Sequence, residues 1–571
     1  MSKRTALLLV LVFLTASSLL MAKPAFSSTD IPGAIIITEN GSIEGTNKIQ
    51  RLGNVYTFTG DIEISGEYTY SAIQVLKDNI VIDGAHHALK TQDAGNVGID
   101  LSERNDVTIK NLVIRGFKQG VFLEGSSGNT IFRNEIIGFK GDGPYGVPTG
   151  IWVSSYSNNN RIEANNVTSN IDFGILVQAA SANNLIAGNT ITGNGVGLAL
   201  DYCPNNSLRN NRIYGNDHNF KLGHNTFAQF IQDIDNSNTI EGKPMCYWID
   251  YHNETVPSDA GFVALGNCTN ITVENLTISH GYDSITLINT NNSDITNNNV
   301  TNGGNGIFLK YCQNITVTQN TVRGNSDSGI GTTSCDKIVI AENCIDQCNF
   351  GISPSGQTLD HSGGRGSTNM VIFRNNITNC NPGIYFSRSS SNLISQNLFR
   401  GNAYGVNLVA CSKNNFTENT FIENSGGALR ISDAYNNTFL HNNFIDNELD
   451  SQVLTQWYFA SAYETNIWDD GHGGNYWSNF ADRYPNASKN SGAKTWNTAF
   501  YIDEVNIDHY PLVESHEIGT DEPADSLLPL ISPSLKPSGS APPPIVLVTV
   551  SVASVAIVGI GLIVYLKKRK H

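Results

Sequence analysis

A glycine returns every 22 to 24 residues along most of this chain, and that period limits the fold more than any single motif. Gly98, Gly120, Gly150, Gly174 and Gly197 form one series. Gly261, Gly306, Gly329, Gly351, Gly383, Gly405 and Gly427 form another, with Ser284 in the slot between Gly261 and Gly306. The exceptions are steps of 30 after Gly120 and 32 after Gly351, and an interruption after Gly197. Such a period marks one supersecondary unit that cannot bury its apolar face alone and must stack on copies of itself. Between 306 and 328 the apolar residues Ile307, Leu309, Ile315, Val317 and Val322 fall in short alternating pairs, which is strand-like, and no helical period survives. Three short strands and three turns per repeat describe one coil of an all-β, right-handed parallel β-helix. The glycines and Ser284 predict about 13 or more coils, which at strand spacing make a rod of about 60 Å.

Two further columns keep the same register. Fourteen residues after the opening position stand Asn134, Asn211, Asn275, Asn298, Asn320, Asn343, Asn397 and Asn419. Asparagine tolerates the left-handed backbone conformation, and stacked amides bond from coil to coil, so the column reads as architecture. Cys203, Cys312, Cys335 and Cys411 lie six residues after their glycine and Cys268 seven after, with Ser126, Thr290 and Ser389 in that slot elsewhere. Cysteine there acts as a small buried hydrophobe, and the column reads as an inward stack rather than a metal site. Cys348 and Cys380 each stand three residues before the next glycine on consecutive coils, close enough to be a candidate disulfide. With nine cysteines, at least one thiol is unpaired within the chain.

The ends give an address. Residues 1–25 carry Lys3 and Arg4, an apolar run from Ala6 to Met21 and then small residues, the pattern of a secretory leader. Residues 545–566 carry no charge, long enough to span a bilayer, and Lys567, Lys568, Arg569 and Lys570 follow at once. Residues 514–544, rich in Pro, Ser and acids, read as a stalk. The expectation is a single-pass cell-surface protein: ectodomain outside, membrane helix at 545–566, basic tail 567–571 inside. N-x-[ST] sequons such as Asn166, Asn314 and Asn415 agree with that location, although an Asn-rich repeat also generates them. A net charge of −16 argues against nucleic-acid partners and suits a self-repelling surface protein.

Between the ends, residues 26–97 are an N-terminal cap with irregular coils, 98–218 and 261–448 are coils, and 449–513 are a second cap. That cap holds Trp457, Trp468, Trp477 and Trp496, which read as the core covering the open end of the last coil. The period stops over 219–260, expected to be a strand pair projecting from the rod. Loops at 140–148 and 359–367 lengthen their coils, and loops on a rigid scaffold carry binding surfaces. The candidate ligand-binding residues are Asp360, His361 and Arg365 on the second loop, with Asp233 and Asp235 on the insert. The last two stand two apart, on one face of an extended segment, and make a candidate calcium site that turn chemistry explains equally well.

The coil GIFLKYCQNITVTQNTVRGN (306–325), the insert block QDIDNSNTIEGKP (232–244) and the closing blocks WDDGHGGNYWSN (468–479) and YIDEVNIDHYPLV (501–513) together resemble the NosD type of β-helix repeat protein, in its archaeal cell-surface form. The resemblance spans roughly 35–513 and implies a pectin-lyase-like β-helix. It also implies copper, since the family is named for periplasmic proteins implicated in copper supply to nitrous oxide reductase. The residues do not gather for copper: beyond the leader only Met245 and Met370 remain, and His86 and His87 are the only adjacent histidines. Nor do they gather for catalysis. Acids thirteen residues after the opening position (Glu274, Glu342, Glu418) never fall on neighbouring coils, and hydrolysis needs two carboxylates a few ångströms apart. No catalytic residue is assigned. The leading expectation is a non-catalytic surface protein that binds glycan or builds structure. The alternatives are a polysaccharide lyase or hydrolase and a copper-delivery accessory protein.

Overall fold

One coil shows why this sequence winds as it does. Strands Asn305–Lys310, Gln313–Thr318 and Thr321–Arg323 point Ile307, Leu309, Ile315, Val317 and Val322 inward, each at most 1% exposed, while the residues between them face out. Tyr311 and Gln319 turn the chain between strands in the left-handed region, at φ 55° and 56°. Period-two alternation thus buries one face and leaves every backbone group to pair with the coils above and below. The glycine column lies where the leading strand begins. A Cβ on Gly329 would stand 2.7 Å from the Gly351 carbonyl oxygen and 2.8 Å from the Ile345 methyl.

Repeated through the chain, these coils form a right-handed parallel β-solenoid of about 16 turns, more than the glycines mark. This is a computed structural model, and it describes residues 35–64, 70–92, 97–138, 147–355, 366–448, 465–490, 492 and 494–516. The leader, the loop 356–365, residues 449–464 of the expected cap with Trp457, the stalk from 517 onward and the segment 545–566 lie outside the described residues. Among the described residues no helix is long and apolar enough to cross a membrane.

Asparagine ladders run through the turns. Asn320 is typical: its Oδ1 accepts from the backbone N–H and the side-chain amide of Asn298, at 2.9 Å each. Its own Nδ2 donates to Asn343 Oδ1 at 3.0 Å and to the Ile295 carbonyl at 2.9 Å. Asn134, Asn211, Asn343, Asn397 and Asn419 stand in the same kind of rung, all at most 2% exposed. Asn275 does not. It is exposed at φ 57°, and the rung belongs to Leu276, whose N–H donates to Asn298 Oδ1 at 3.0 Å. The reason is a one-residue displacement. Val263 pairs with Ile285, which puts Phe262 rather than Gly261 opposite Ser284. At the other end Val406 pairs with Leu429, so Ala428 takes the slot expected for Gly427.

The interruption is a joint, which corrects the expected projecting strand pair. Strands His218–Gly223, Asp233–Ile234 and Thr239–Ile240 complete a coil, paired in parallel with the coil before. The chain then reverses through Glu241 and Gly242, and Lys243–Ile249 runs antiparallel to Thr239–Ile240 before leading a second stack. The strands Lys243–Ile249 and Phe262–Gly266 are buried on both faces. Met245, Tyr247, Phe262 and Ala264 close the core of the first stack, while Cys246, Val263 and Leu265 open the core of the second. Phe220 meets Phe262 edge-on across this joint at 5.2 Å. The second stack is therefore set against the end of the first, and the molecule has two cores and a corner.

At the C-terminal end the core turns aromatic. Phe399, Phe421, Phe444, Trp477 and Phe500 stack in one column at successive separations of 4.8, 5.2, 4.3 and 4.1 Å. The buried Asp508 carboxylate accepts from Trp477 Nε1 at 3.0 Å and from the Asn475 N–H at 2.8 Å. Cys203, Cys268, Cys312, Cys335 and Cys411 are all buried free thiols. Cys348 and Cys380 are also free. They occupy two consecutive rungs of an amide ladder: Asn325 Nδ2 donates to Cys348 Sγ at 3.7 Å, and the Cys380 N–H to Asn402 Oδ1 at 2.9 Å.

Candidate ligand site at the inner corner

Three rows of side chains stand on the outer face of the first stack's leading sheet. The middle row runs Phe122, Trp152, Leu176, Ala199, Lys221. One flank ends in His218 beside Val196, and the other ends in Asp201. The period-two pleat that points Val121 and Leu198 into the core necessarily points this row outward. At the joint, the free edge of His218–Gly223 meets the segment entering strand Asp283–Ile288. The Asn219 N–H donates to the His280 carbonyl at 2.6 Å, and the Tyr282 N–H to the Phe220 carbonyl at 3.2 Å. That pairing folds the second stack's side chains over the first stack's outer face.

What gathers there is chemically dense. Lys221 Nζ lies 3.2 Å from Asp201 Oδ2 and 5.0 Å from the centre of the Tyr282 ring. His218 packs edge-on against Tyr282 at 5.5 Å. Leu176, Val196 and Ala199 form a small apolar cluster with Trp152, Phe173 and Tyr282 against it. Asn305 Nδ2 donates to Asp283 Oδ1 at 2.8 Å, and the same side chain bonds Asp327. Desolvation pushes the Asp283 carboxyl up to about 6, the Asn305 bond opposing it and the nearby Asp327 charge adding to it. Burial raises Asp327 and Tyr282 as well and lowers the His218 imidazole. Among the described residues, four buried polar atoms around this corner have no hydrogen-bond partner: Trp152 Nε1, Asp201 Oδ1, His218 Nδ1 and His280 Nδ1. Native structures rarely leave such groups unmade, because each costs about 1–3 kcal/mol.

The sequence-derived candidates lie elsewhere. Asp233 and Asp235 both reach the Arg209 guanidinium, Asp235 at 3.2 Å, and Ser207 Oγ donates to Asp233 at 2.9 Å. The Arg209 guanidinium and the Ser207 hydroxyl hold the Asp233 carboxyl below the usual range. Asp360, His361 and Arg365 fall outside the described residues. The corner residues were missed because coil offsets compare one coil with the next. Asp201 and Lys221 belong to one stack, Asp283 and Asp327 to the other, and only the joint brings them together. One signal was present: the unbroken apolar runs MCYWI (245–249) and FVAL (262–265) mark strands buried on both faces.

Among solved structures, the chain resembles the periplasmic alginate epimerase AlgG at 14% identity, with a TM-score of 0.29, over 57% of this chain and 71% of that one. It also resembles DFA-IIIase from Arthrobacter chlorophenolicus A6 in complex with GF2 at 12% identity, with a TM-score of 0.28, over 61% of this chain and 83% of that one. No curated protein matches it. The family model described as periplasmic copper-binding protein (NosD) matches residues 38–252, 229–402 and 355–481. Copper needs clustered His, Met or Cys. Among the described residues no group of three or more His, Cys, Asp or Glu could hold a metal ion, and Met245 and Met370 are sealed in the cores. The described residues therefore do not fit a copper centre. By its repeats, across most of its length, the chain belongs to the NosD family.

Proposed function

We propose that the protein binds a saccharide chain at the inner corner, outside the cytoplasm. The observation that carries this reading is the set of unpartnered buried atoms, Trp152 Nε1, Asp201 Oδ1, His218 Nδ1 and His280 Nδ1, beside an aromatic and apolar row. A sugar supplies what that arrangement lacks. Its hydroxyls both donate and accept, and its C–H faces lie on aromatic rings. The location rests on the leader at 1–25 and the apolar segment 545–566, which anchors the ectodomain to a membrane with the basic residues 567–570 inside.

The test is titration of the full chain with a panel of neutral and acidic oligosaccharides. At least one ligand binds, and Asp201→Asn and Trp152→Leu each weaken it about tenfold or more, a change of about 1.4 kcal/mol. Unaltered thermal melts would show that the variants still fold. Binding by none of the panel, or binding indifferent to both substitutions, would sink the reading.

A second reading has an observation of its own. Asp283 and Asp327 share the Asn305 side chain, and Asp283 is held near the pH at which a carboxylic acid serves as a proton donor. That arrangement favours a polysaccharide-acting enzyme. Mass spectrometry of bound oligosaccharides separates the two: intact sugar supports binding alone, and shortened or unsaturated products support catalysis.

A further inference from the structure

The C-terminal cap carries a half-open cavity of about 650 Å3 that the corner reading does not use. Four pieces of chain converge on it: the turn carrying His441, the loop of Asp470 and His472, Lys489 bridged to Trp496 with Lys494 and Thr495 beside it, and the final segment 512–516. The lining is rich in nitrogen donors for an acidic protein. Acids outnumber Lys and Arg by 51 to 35 over the whole chain, whereas in this wall Lys489 and Lys494 balance the carboxylates of Asp470 and Glu514, and His441, His472 and His516 add three imidazoles. Asp470 Oδ1 accepts from the N–H groups of Gly473 and His472 at 2.8 Å each, which holds its carboxyl below the usual range and keeps it charged. Among the described residues Lys489, Lys494, His441 and His472 make no ion pair, although Glu418 stands 3.7 Å from His516 Nε2.

Two of the imidazoles are held in place. Asn443 clamps the main chain at His516, accepting from its N–H at 2.7 Å and donating to its carbonyl at 3.0 Å. The His441 and His516 rings lie parallel at 5.3 Å. A Cβ on Gly473 would come within 3.3 Å of His441 Nε2, so a residue without a side chain keeps that imidazole accessible. Positioned imidazoles and exposed lysine ammonium groups around a cavity of ligand size are groups that can recognise an oxyanion.

We propose that this cavity is a second binding site, for a carboxylate, sulfate or phosphate group carried on a small molecule or a saccharide residue. The full chain titrated calorimetrically with sodium sulfate, sodium phosphate and a uronic-acid oligosaccharide binds at least one with a Kd of about 1 mM or tighter. The double variant Lys489→Gln with Lys494→Gln weakens that binding about tenfold, and so does a rise in salt. Both lysines are exposed, and an unchanged thermal melt confirms that the variant folds. Asp201→Asn at the corner leaves the affinity for sulfate and phosphate unchanged, and uronate binding that survives Asp201→Asn but falls in the double lysine variant belongs to this cavity, so failure of this site and failure of the corner reading are separate results. Preference for the uronate assigns the group to a sugar carboxylate, and preference for sulfate or phosphate assigns it to those anions. Either supports the site. No binding by any of the three, affinity unaltered in the double variant, or binding that requires added copper(II) would overturn it.

Discussion

An asparagine amide in the ladders does work that no apolar residue of the same volume can do. Asn397 accepts from both the backbone N–H and the side chain of Asn375, and donates to Asn419 and to the Ile372 carbonyl. Asn397→Leu leaves these partners buried and unmade, at a cost of about 2–4 kcal/mol in urea unfolding. Asn275 is the internal control, since it lies on the surface in the left-handed region. Asn275→Gly keeps that backbone conformation and should change stability by less than about 0.5 kcal/mol. Gly329→Ala should cost about 2 kcal/mol or more in the same assay, because its Cβ meets backbone oxygen at 2.7 Å. A loss as small as that of Asn275→Gly would mean the coil yields at this point. The columns were legible in the sequence because each column residue repeats with the coil. The displacement at Gly261 was not. Its cause is Phe262, which the first stack's core needs, and no property of the second stack's repeat reports that need.

At the scale of elements, the cap joins its pieces through one buried acid. Burial pushes the Asp508 carboxyl up to about 7, against the bonds from Trp477, Asn475 and Tyr510 that favour its charged form. The folded protein therefore holds a proton there more tightly than the unfolded chain does. The stability linked to that proton is fully present below about pH 4, falls as pH rises, and is lost once pH passes about 7. Asp508→Asn should flatten the decline in cap stability between pH 4 and 7, an effect on the order of a few kcal/mol, read as melting temperature against pH. A wild-type melt rising over that range would contradict the assignment. Tryptophan in the closing block was legible as cap core because an open solenoid end must be covered. The partner that holds it was not, since Asp508 is one acid among 51 and nothing local marks it as buried.

The whole molecule is defined by the joint. A single rod of equivalent coils would place every outward side chain in a column of its neighbours, and acids would meet only at matching offsets. By reversing at Glu241 and Gly242, the chain sets a second stack against the end of the first and brings Asp283 and Asp327 toward Asp201 and Lys221. Fold class is thus readable from the period, whereas the site depends on where the period breaks. The measurement that tests this most directly is hydrogen–deuterium exchange of the full chain with and without a bound oligosaccharide. The corner reading predicts added protection at 196–201, 218–223 and 280–286, contributed by both stacks at once. Protection confined to one stack, or to segments away from the joint, would contradict it.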